Sequence, residues 1–297
     1  MTLSDLGVGS TVPLRQLGRL MLEWRNRSGL SQARAAELLE MGATSLARLE
    51  KAEITRVRTG VIKEACGIYG VPEDIAEGMV RLAQQAKVKN WWHSYRDLMP
   101  KHLDVYVGLE AAAAGCVTYQ PELIPGLLQT EEYDRALLCA RWPNEPAEER
   151  DRRTQIKQHR QVAITRKNRP LDVDVVIGEA ALGRPVGGPM VMARQLRHLA
   201  DTSTRDNVSI RVLPLRAGFP GGVSMLPFVI LDFGTPPPGE PTEPPVVYLE
   251  GMVGSMYLED QDDVRIYYSA HETLRQAALD ETASRNLLRR IAREYAP

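Results

Sequence analysis

Near the N-terminus, two short helical segments are joined by a tight turn, and this pairing limits the folds open to the chain. Ser31 is a good N-cap for a helix over residues 32–39. A turn over residues 40–42 leads to a further short helix over residues 43–51. Two short helices that cross closely at a tight turn are what a helix-turn-helix requires, so the pattern predicts that motif.

Longer amphipathic helices flank the two short ones and complete a predicted five-helix unit. The first helix ends at Gly29, and its apolar residues recur three or four positions apart. A fourth helix is predicted over residues 57–69 and a fifth over residues 72–87. The apolar face of the first helix consists of Leu14, Leu17, Leu20, Met21 and Trp24.

Length and charge divide the chain into two predicted domains, residues 1–88 and 89–297. The whole chain carries a formal charge of −1, but residues 1–89 hold 13 Lys and Arg against 10 Asp and Glu. The basic excess therefore lies on the helical domain, where a DNA-facing surface would need it. No apolar run reaches the roughly 20 residues of a membrane span, and the N-terminus lacks the pattern of a signal peptide.

The larger C-terminal region combines helices with strands. Alternating β-branched segments predict strands near residues 171–177, 208–213, 225–231 and 246–249. A helix near residues 189–200 separates the first two strands and favours a parallel β-α-β unit. The stretch 235–245 contains six prolines and is predicted to be an exposed loop. We expect an α+β protein overall: an all-α helix-turn-helix domain followed by a mixed α/β domain with about four or five strands.

The residues of the N-terminal unit resemble those of a known family. Leu30-Ser31-Gln32-Ala33 and the later run Leu46-Ala47-Arg48-Leu49-Glu50 are similar to the phage-repressor (XRE, Cro/C1-type) helix-turn-helix. The resemblance implies that Gln32 bonds a DNA phosphate and that the third helix lies in the major groove. It also implies a structural pair between Arg25 and Glu50. The residues it directs toward base edges are Ala43, Thr44, Ser45 and Arg48.

Among these residues, Arg48 is the best candidate for bidentate recognition of a guanine. Basic residues that follow the third helix suit phosphate or minor-groove contacts. Gly42 departs from the Ser or Thr usual at the N-cap of that helix, and Ala43 and Ala47 replace longer polar residues, so we expect modest specificity per monomer. The basic residues predicted to make the phosphate or minor-groove contacts are Lys51, Arg56 and Arg58.

The C-terminal region also resembles a family, over residues 90–297. Its features are similar to the uncharacterised domain of large actinobacterial regulators of the WhiJ type, which are also described as antitoxin-like. The resemblance implies gene regulation beside a small partner protein encoded nearby, and it supplies no ligand or catalytic residue. The residues that carry it include Trp91-Trp92, Ile124-Pro-Gly-Leu-Leu-Gln-Thr130, Arg160-Gln161, Gln195-Leu196 and Tyr248-Leu-Glu250.

We find no residue pattern typical of an enzyme, a metal site or a bound cofactor. The five histidines are scattered, and the sequence has no nucleophile elbow, phosphate-binding loop or dinucleotide fingerprint. The acidic run from Glu259 to Asp263 could bind a cation, but carboxylates at a helix N-terminus explain it better. We therefore expect a protein without catalytic activity.

The Pro-Gly-Leu-Leu-Gln-Thr turn is the segment most suggestive of a binding site, because proline and glycine give it a fixed shape. Polar residues of the turn could line a pocket for a small molecule or a partner peptide together with a tryptophan pair. The alternative is a structural turn that packs its two leucines into the core, with the tryptophans covering a domain junction. The candidate residues are Trp91, Trp92, Gln129, Thr130 and Tyr133.

Two hypotheses for function remain open. The first is a cytoplasmic, homodimeric regulator that binds double-stranded DNA and whose C-terminal domain dimerises and senses a ligand or binds a small partner protein. The second is an antitoxin-like component that sequesters a small partner, with DNA binding as autoregulation. Three widely spaced cysteines fit reduced thiols in the cytoplasm.

Overall fold

The computed structural model describes residues 12–54, 57–86, 91–95, 97–99, 101–235, 243–252 and 254–296. Tertiary contacts divide the chain into two compact units. The first contains the chain up to Ala112 together with residues 233–244, and the second contains residues 113–232 and 245–297. This division assigns residues 89–112 to the first unit, whereas the boundary predicted from sequence places them in the second domain. The boundary after residue 88 therefore stays a prediction.

The first unit contains the predicted helix-turn-helix, with helix bounds within about two residues of those expected from capping and periodicity. A short 3-10 helix, Trp91–Tyr95, and a further helix follow the five predicted ones. The helices are α1 Val12–Arg27, α2 Gln32–Leu38, α3 Ala43–Glu50, α4 Thr59–Tyr69, α5 Glu73–Gln85 and α6 Lys101–Ala112.

One hydrophobic core holds α1 to α5 together. Leu17 and Met21 of α1 are fully buried against Leu46 of α3, Ile62 of α4 and Met79 of α5. Each helix therefore contributes to a common interior through residues three or four positions apart, as the amphipathic patterns required.

Residue Glu243 corrects the prediction of a wholly exposed proline-rich loop. Residues 236–242 lie outside the described part of the chain, but Glu243 belongs to the first unit and is buried. Its carboxylate forms ion pairs with Arg15, at 3.6 Å from Nε, and with Arg19. A carboxylate can be buried there because two arginines of α1 compensate its charge.

The second unit is built on a mixed sheet, and its strand count corrects the predicted four or five. Among the described residues six strands form one sheet in the order β3-β2-β1-β4-β5-β6. Strands β1, β2 and β3 are parallel, which confirms the predicted β-α-β unit, while β4, β5 and β6 are antiparallel to their neighbours. The strands are β1 Gly115–Gln120, β2 Asp172–Gly178, β3 Val208–Leu213, β4 Phe228–Asp232, β5 Val246–Glu250 and β6 Ser255–Leu258.

Strands β1 and β6 were not predicted, for different physical reasons. Strand β1 begins at Gly115, and only two alanines separate it from the alanine-rich end of α6, so its start resembles the end of that helix. Strand β6 has four residues, too few to establish a period-two pattern. Strand β1 is stabilised by pairing with β2 and β4, which are distant in sequence, and local propensity does not contain such pairing.

Helices pack against this sheet. Helices α10 and α12 pack against each other, α12 contacts β3, and α11 contacts strands β1 to β5. Phe228, Ile230 and Val247 form a core cluster with Val264 and Leu274 of α11. The helices of the second unit are α7 Glu131–Arg141, α8 Ala147–Thr165, α9 Glu179–Gly183, α10 Pro189–Thr202, α11 Gln261–Ala277 and α12 Glu281–Tyr295.

The acidic run before α11 is a helix N-terminus. Asp260 is the N-cap, and its carboxylate accepts hydrogen bonds from the backbone nitrogens of Asp262 at 2.9 Å and Asp263 at 3.4 Å. The carboxylates therefore satisfy orphan N–H groups, as the helix-terminus interpretation predicted. Among the described residues, no helix is both long and apolar enough to cross a membrane.

Candidate nucleic-acid interface

Helices α2 and α3 begin differently, and a tight turn joins them. Ser31 caps α2, and its hydroxyl accepts a hydrogen bond from the Arg34 backbone nitrogen at 3.2 Å. Glu40, with φ at +50°, turns the chain out of α2. Gly42 is the N-cap of α3 and makes no side-chain hydrogen bond there. The direction of α3 therefore depends on the turn and on core packing rather than on a capping side chain.

Helix α3 presents one face to the core and the other to solvent. Leu46 and Leu49 are buried in the core of the first unit. The four residues that the family resemblance directs toward base edges are all exposed: Ala43, Thr44, Ser45 and Arg48. The exposed face thus carries two hydroxyls, one guanidinium and one methyl group with which to contact a DNA groove.

In the free protein, the Arg48 side chain bends back toward the chain that follows α3. Its Nη2 donates a hydrogen bond to the carbonyl oxygen of Glu53 at 3.1 Å. The guanidinium has five N–H donors, so this contact leaves others available for a base edge.

Glu50 fixes the C-terminal end of α3 against α1. The Arg25 guanidinium donates to the Glu50 carboxylate from Nε at 2.5 Å and from Nη2 at 3.1 Å, and both side chains are buried. Hydrogen bonding to Glu50 raises the pKa of Arg25 above its ordinary value. Nη1 of Arg25 also donates to the Leu30 carbonyl at 3.0 Å. The structure thus confirms Arg25 and Glu50 as a structural pair.

Gln32 joins the same network. It is half-buried at the start of α2, and its side-chain nitrogen donates to Glu50 Oε2 at 3.0 Å. An amide nitrogen has two N–H donors, so one donor remains for a phosphate oxygen. The residue expected to contact DNA therefore also connects α2 to α3.

Basic residues after α3 lie on the surface where they are described. Lys51 and Arg58 are both exposed. Arg56, the third basic residue predicted to contact DNA, lies outside the described residues. Lys51 is the C-cap of α3 and Arg58 is the N-cap of α4, so both add exposed positive charge after the third helix, of the kind that phosphate contacts require.

The tryptophan pair belongs to the first unit. Trp91 and Trp92 meet edge to face, with ring centroids 5.7 Å apart, and Tyr95 also meets Trp91 edge to face, at 6.2 Å. Trp92 is buried and Trp91 is half-buried. This geometry is that of a packed aromatic cluster.

The Pro-Gly-Leu-Leu-Gln-Thr turn belongs to the second unit, and its polar groups bond to the protein itself. The Gln129 side-chain nitrogen donates to the Ile124 carbonyl at 2.6 Å, and its oxygen accepts from Lys157 Nζ at 2.6 Å. Thr130 is the N-cap of α7 and accepts from the backbone nitrogen of Tyr133 at 3.3 Å, and Tyr133 is fully buried. The geometry favours the interpretation of a structural turn.

Four further polar residues hold this turn, and sequence reasoning gave none of them a role. Gln195 is fully buried, and it accepts from the Thr130 nitrogen and donates to the Leu128 carbonyl, each at 2.7 Å. Gln161 donates to the Gln129 carbonyl at 2.7 Å, while Lys157 forms an ion pair with buried Asp134. Gln161 and Gln195 were among the residues that carried the family resemblance. The family resemblance was therefore the one sequence signal that could have pointed to these two residues.

Burial lowers the pKa of Lys157 below its ordinary value, and the attraction of Asp134 opposes the shift. The ammonium is retained at this partly buried position because the Asp134 carboxylate and the Gln129 amide oxygen accept its hydrogen bonds. Lys157 therefore serves the turn as an internal hydrogen-bond donor.

Comparison with known families gives two matches along the chain. Residues 16–77 match the family described as a helix-turn-helix domain, and this match supports DNA binding and transcription regulation as the class of activity. Residues 103–290, more than half of the chain, match the family described as a domain of unknown function (DUF5753). The protein therefore belongs to the DUF5753 family and carries an N-terminal helix-turn-helix domain. No curated protein and no solved structure matches the chain.

Proposed function

We propose that the protein regulates transcription by binding double-stranded DNA sequence-specifically, with α3 in the major groove. The observation that carries the proposal is the exposed face of α3, where Thr44, Ser45 and Arg48 project from a helix fixed by the buried Arg25–Glu50 pair. A rigid frame behind an exposed polar face is what base readout requires, because misplaced donors lose their hydrogen bonds.

The roles of individual residues follow from their chemistry. Arg48 reads a guanine through two parallel hydrogen bonds, and Thr44 and Ser45 contact neighbouring bases. Gln32, Lys51, Arg56 and Arg58 contact phosphates, which position the domain without reading sequence. Ala43 supplies an apolar contact such as a thymine methyl group requires.

The test begins with selection of bound sequences from a random DNA library by the full-length protein. Binding to the selected duplex is then measured by fluorescence anisotropy for wild type, Arg48→Ala and Lys51→Ala. Arg48→Ala should lose about 1–3 kcal/mol of discrimination at one base pair. Lys51→Ala should weaken all sequences equally and reduce the slope of log K against log salt by about one.

Two results would count against this proposal. If Arg48→Ala kept both the affinity and the base preference of wild type, α3 would not be the recognition helix. If the wild type selected no sequence above background, sequence-specific binding itself would be excluded.

In this proposal we assign the second unit a regulatory rather than a catalytic role. Its most distinctive turn uses Gln129, Thr130 and Tyr133 for internal hydrogen bonds, so a ligand at that turn would have to displace existing contacts. We therefore favour dimerisation or binding of a small partner protein over sensing of a ligand at the turn. The proposed function needs no cofactor. We place it in the cytoplasm, where the target DNA would be.

The assignment of each unit to a particular subfamily of regulators is part of the same proposal. We place the helix-turn-helix with the phage-repressor (XRE) type because of the Ser31-Gln32 start of α2 and the Arg25–Glu50 pair. We place the second unit with the WhiJ-type, antitoxin-like regulators on the residues named from sequence. Purification of the tagged protein from its native host would recover a stoichiometric small protein if partner binding is its main role, and none if it acts alone.

A further inference from the structure

The segment between β3 and β4 exposes several large apolar side chains. Leu215, Phe219, Val223 and Leu226 are 71%, 72%, 58% and 74% exposed. Soluble proteins expose single apolar residues routinely, but a group within twelve consecutive residues is uncommon. We call residues 214–227 the apolar loop.

The apolar loop has a fixed shape. Gly218, Gly221 and Gly222 have φ of 62°, 77° and 74°, a region that other residues rarely adopt. Backbone hydrogen bonds of 3.2 Å from Gly218 to Leu215 and 2.9 Å from Gly222 to Phe219 close two tight turns. These turns set the positions from which the apolar side chains project.

The same loop is anchored to the second unit by its other apolar residues. Ala217 and Met225 pack against the core cluster between the sheet and α11. Gly221 lies against α11, because a Cβ added there would be 3.7 Å from Thr273 Cγ2. Leu215 is fixed by a hydrogen bond of 2.7 Å from its backbone nitrogen to Glu179. The outward side chains are therefore presented by an ordered scaffold.

Helix α11 extends this surface. Ile266 is 64% exposed and lies seven residues before Thr273, so the two residues share one stripe of the helix. Charges of both signs flank Ile266: Asp262 and Asp263 precede it in the first turn of α11, and Arg265 is adjacent. Asp262 and Arg265 form an ion pair within this flank.

We propose that the apolar loop and the adjoining stripe of α11 form a two-fold interface with a second copy of this chain. An isologous interface places each patch on its own copy, so it requires an uncharged centre and a rim that carries both signs of charge. The loop has one charged residue, Arg216, and the α11 flank has both signs. A strongly basic or acidic partner would instead call for a rim of one sign.

The exposed face of α3 gives an independent reason for a second copy. Arg48 is the one long polar side chain among its exposed base-facing residues, so a single domain reads few base pairs. Two domains held together read two half-sites, and the linked binding events raise affinity without new contacts. This part of the argument depends on the proposed DNA binding, whereas the surface itself does not.

The test measures the mass of the full-length protein in solution by sedimentation equilibrium, without DNA. Wild type should be a dimer at micromolar concentration, and the variant Phe219→Asp/Leu226→Asp should be a monomer. The matched control is Val162→Asp/Met190→Asp, which changes two other exposed apolar residues of the second unit and should remain dimeric. Because all four side chains are exposed, thermal unfolding should confirm that both variants are folded.

A DNA-binding measurement separates this proposal from the proposed function. The loop variant should bind a single half-site as wild type does and lose about 100-fold in affinity for a duplex with two half-sites. Three results would overturn the proposed interface: wild type is a monomer, the loop variant is a dimer, or the wild-type chain is a monomer that binds a different protein through this loop. If the loop variant is monomeric but neither protein binds DNA, the interface holds and the proposed function fails.

Discussion

Arg25 and Glu50 form a bidentate ion pair across α1 and α3, with distances of 2.5 Å and 3.1 Å between the guanidinium nitrogens and the carboxylate oxygens. Both residues are more than 90% buried. Gln32 donates to the same carboxylate, so one side chain connects three helices of the DNA-binding unit. The pair positions the helix that carries Arg48.

Removal of Glu50 should destabilise the first unit strongly. Glu50→Ala leaves the Arg25 guanidinium buried without its partner, which costs about 3–5 kcal/mol of the free energy of unfolding. The matched control is Glu37→Ala, which breaks an exposed ion pair with Arg34 and should cost less than about 1 kcal/mol. Urea denaturation followed by circular dichroism measures both, and equal losses in the two variants would refute a special role for the buried pair.

Gly18 is required where α1 crosses the end of α3. A Cβ atom there would lie 2.6 Å from the Glu50 carbonyl oxygen and 2.9 Å from that of Leu49, and backbone atoms cannot move aside cheaply. Gly18→Ala should therefore destabilise the unit by about 1–3 kcal/mol.

The control for this substitution is another helical glycine. Gly67 of α4 has no atom within 4 Å of an added Cβ, so Gly67→Ala should stabilise by about 0.5–1 kcal/mol. The two changes should thus shift the denaturation midpoint in opposite directions. A stabilising Gly18→Ala would show that the two helices are not in close contact in solution.

Gln195 should be essential to the Pro-Gly-Leu-Leu-Gln-Thr turn. Gln195→Leu removes the partners of the Leu128 carbonyl and the Thr130 nitrogen, and each buried polar group left unsatisfied costs about 1–3 kcal/mol. Gln158→Leu is the matched control, because Gln158 is exposed and donates a hydrogen bond to the surface residue Glu131 at 2.9 Å. Hydrogen exchange at Thr130 should accelerate in the first variant alone, and protection that persists there would contradict the assignment.

The stability of the second unit should fall in mild acid because of His271. Burial lowers the pKa of this imidazole below its ordinary value of 6.5, while Asp174 and Glu272 oppose the shift and Arg275 adds to it. Below pH 6.5 the unfolded chain binds a proton that the folded state does not, so stability is lost as pH falls from about 7 to 5. The slope contributed by one such group cannot exceed about 1.4 kcal/mol per pH unit.

Substitution identifies the group responsible for this pH dependence. His271→Gln should flatten the profile of unfolding free energy between pH 7 and 5. Glu272→Gln is the comparison variant: because the Glu272 carboxylate opposes the His271 shift, its removal should leave the loss of stability in acid in place or increase it. An unchanged profile in His271→Gln would assign the acid sensitivity to another group.

Local patterns predicted most helices well, because capping and periodicity are short-range properties. Ser31 and Asp260 are N-caps whose side chains accept backbone hydrogen bonds, and each stands where the sequence places a helix start. Strands β2, β3, β4 and β5 were also predicted to within three residues at their starts. Strand β1 was missed because pairing with distant strands, rather than local pattern, stabilises it. Strand β6 was missed because its four residues are too few to establish a period-two pattern.

The candidate site was predictable in part. The family resemblance named the exposed residues of α3, and solvent exposure agrees with that assignment for Ala43, Thr44, Ser45 and Arg48. The contact of Gln32 with Glu50 was not predicted, nor was the burial of Glu243 between arginines of α1. Such contacts join residues up to 224 positions apart, and no local rule relates them.

The sequence by itself determined that five helices with one apolar face each would form a helix-turn-helix unit, since hydrophobic periodicity dictates which side of each helix is buried. Tertiary structure alone decided how the polar groups are used. It directed Gln129, Gln161 and Gln195 into the turn of the second unit. It also left four apolar side chains of the apolar loop facing solvent: Leu215, Phe219, Val223 and Leu226. The reason is physical: a polar or apolar side chain takes its role from the neighbours that folding brings to it, and those neighbours are distant in the sequence.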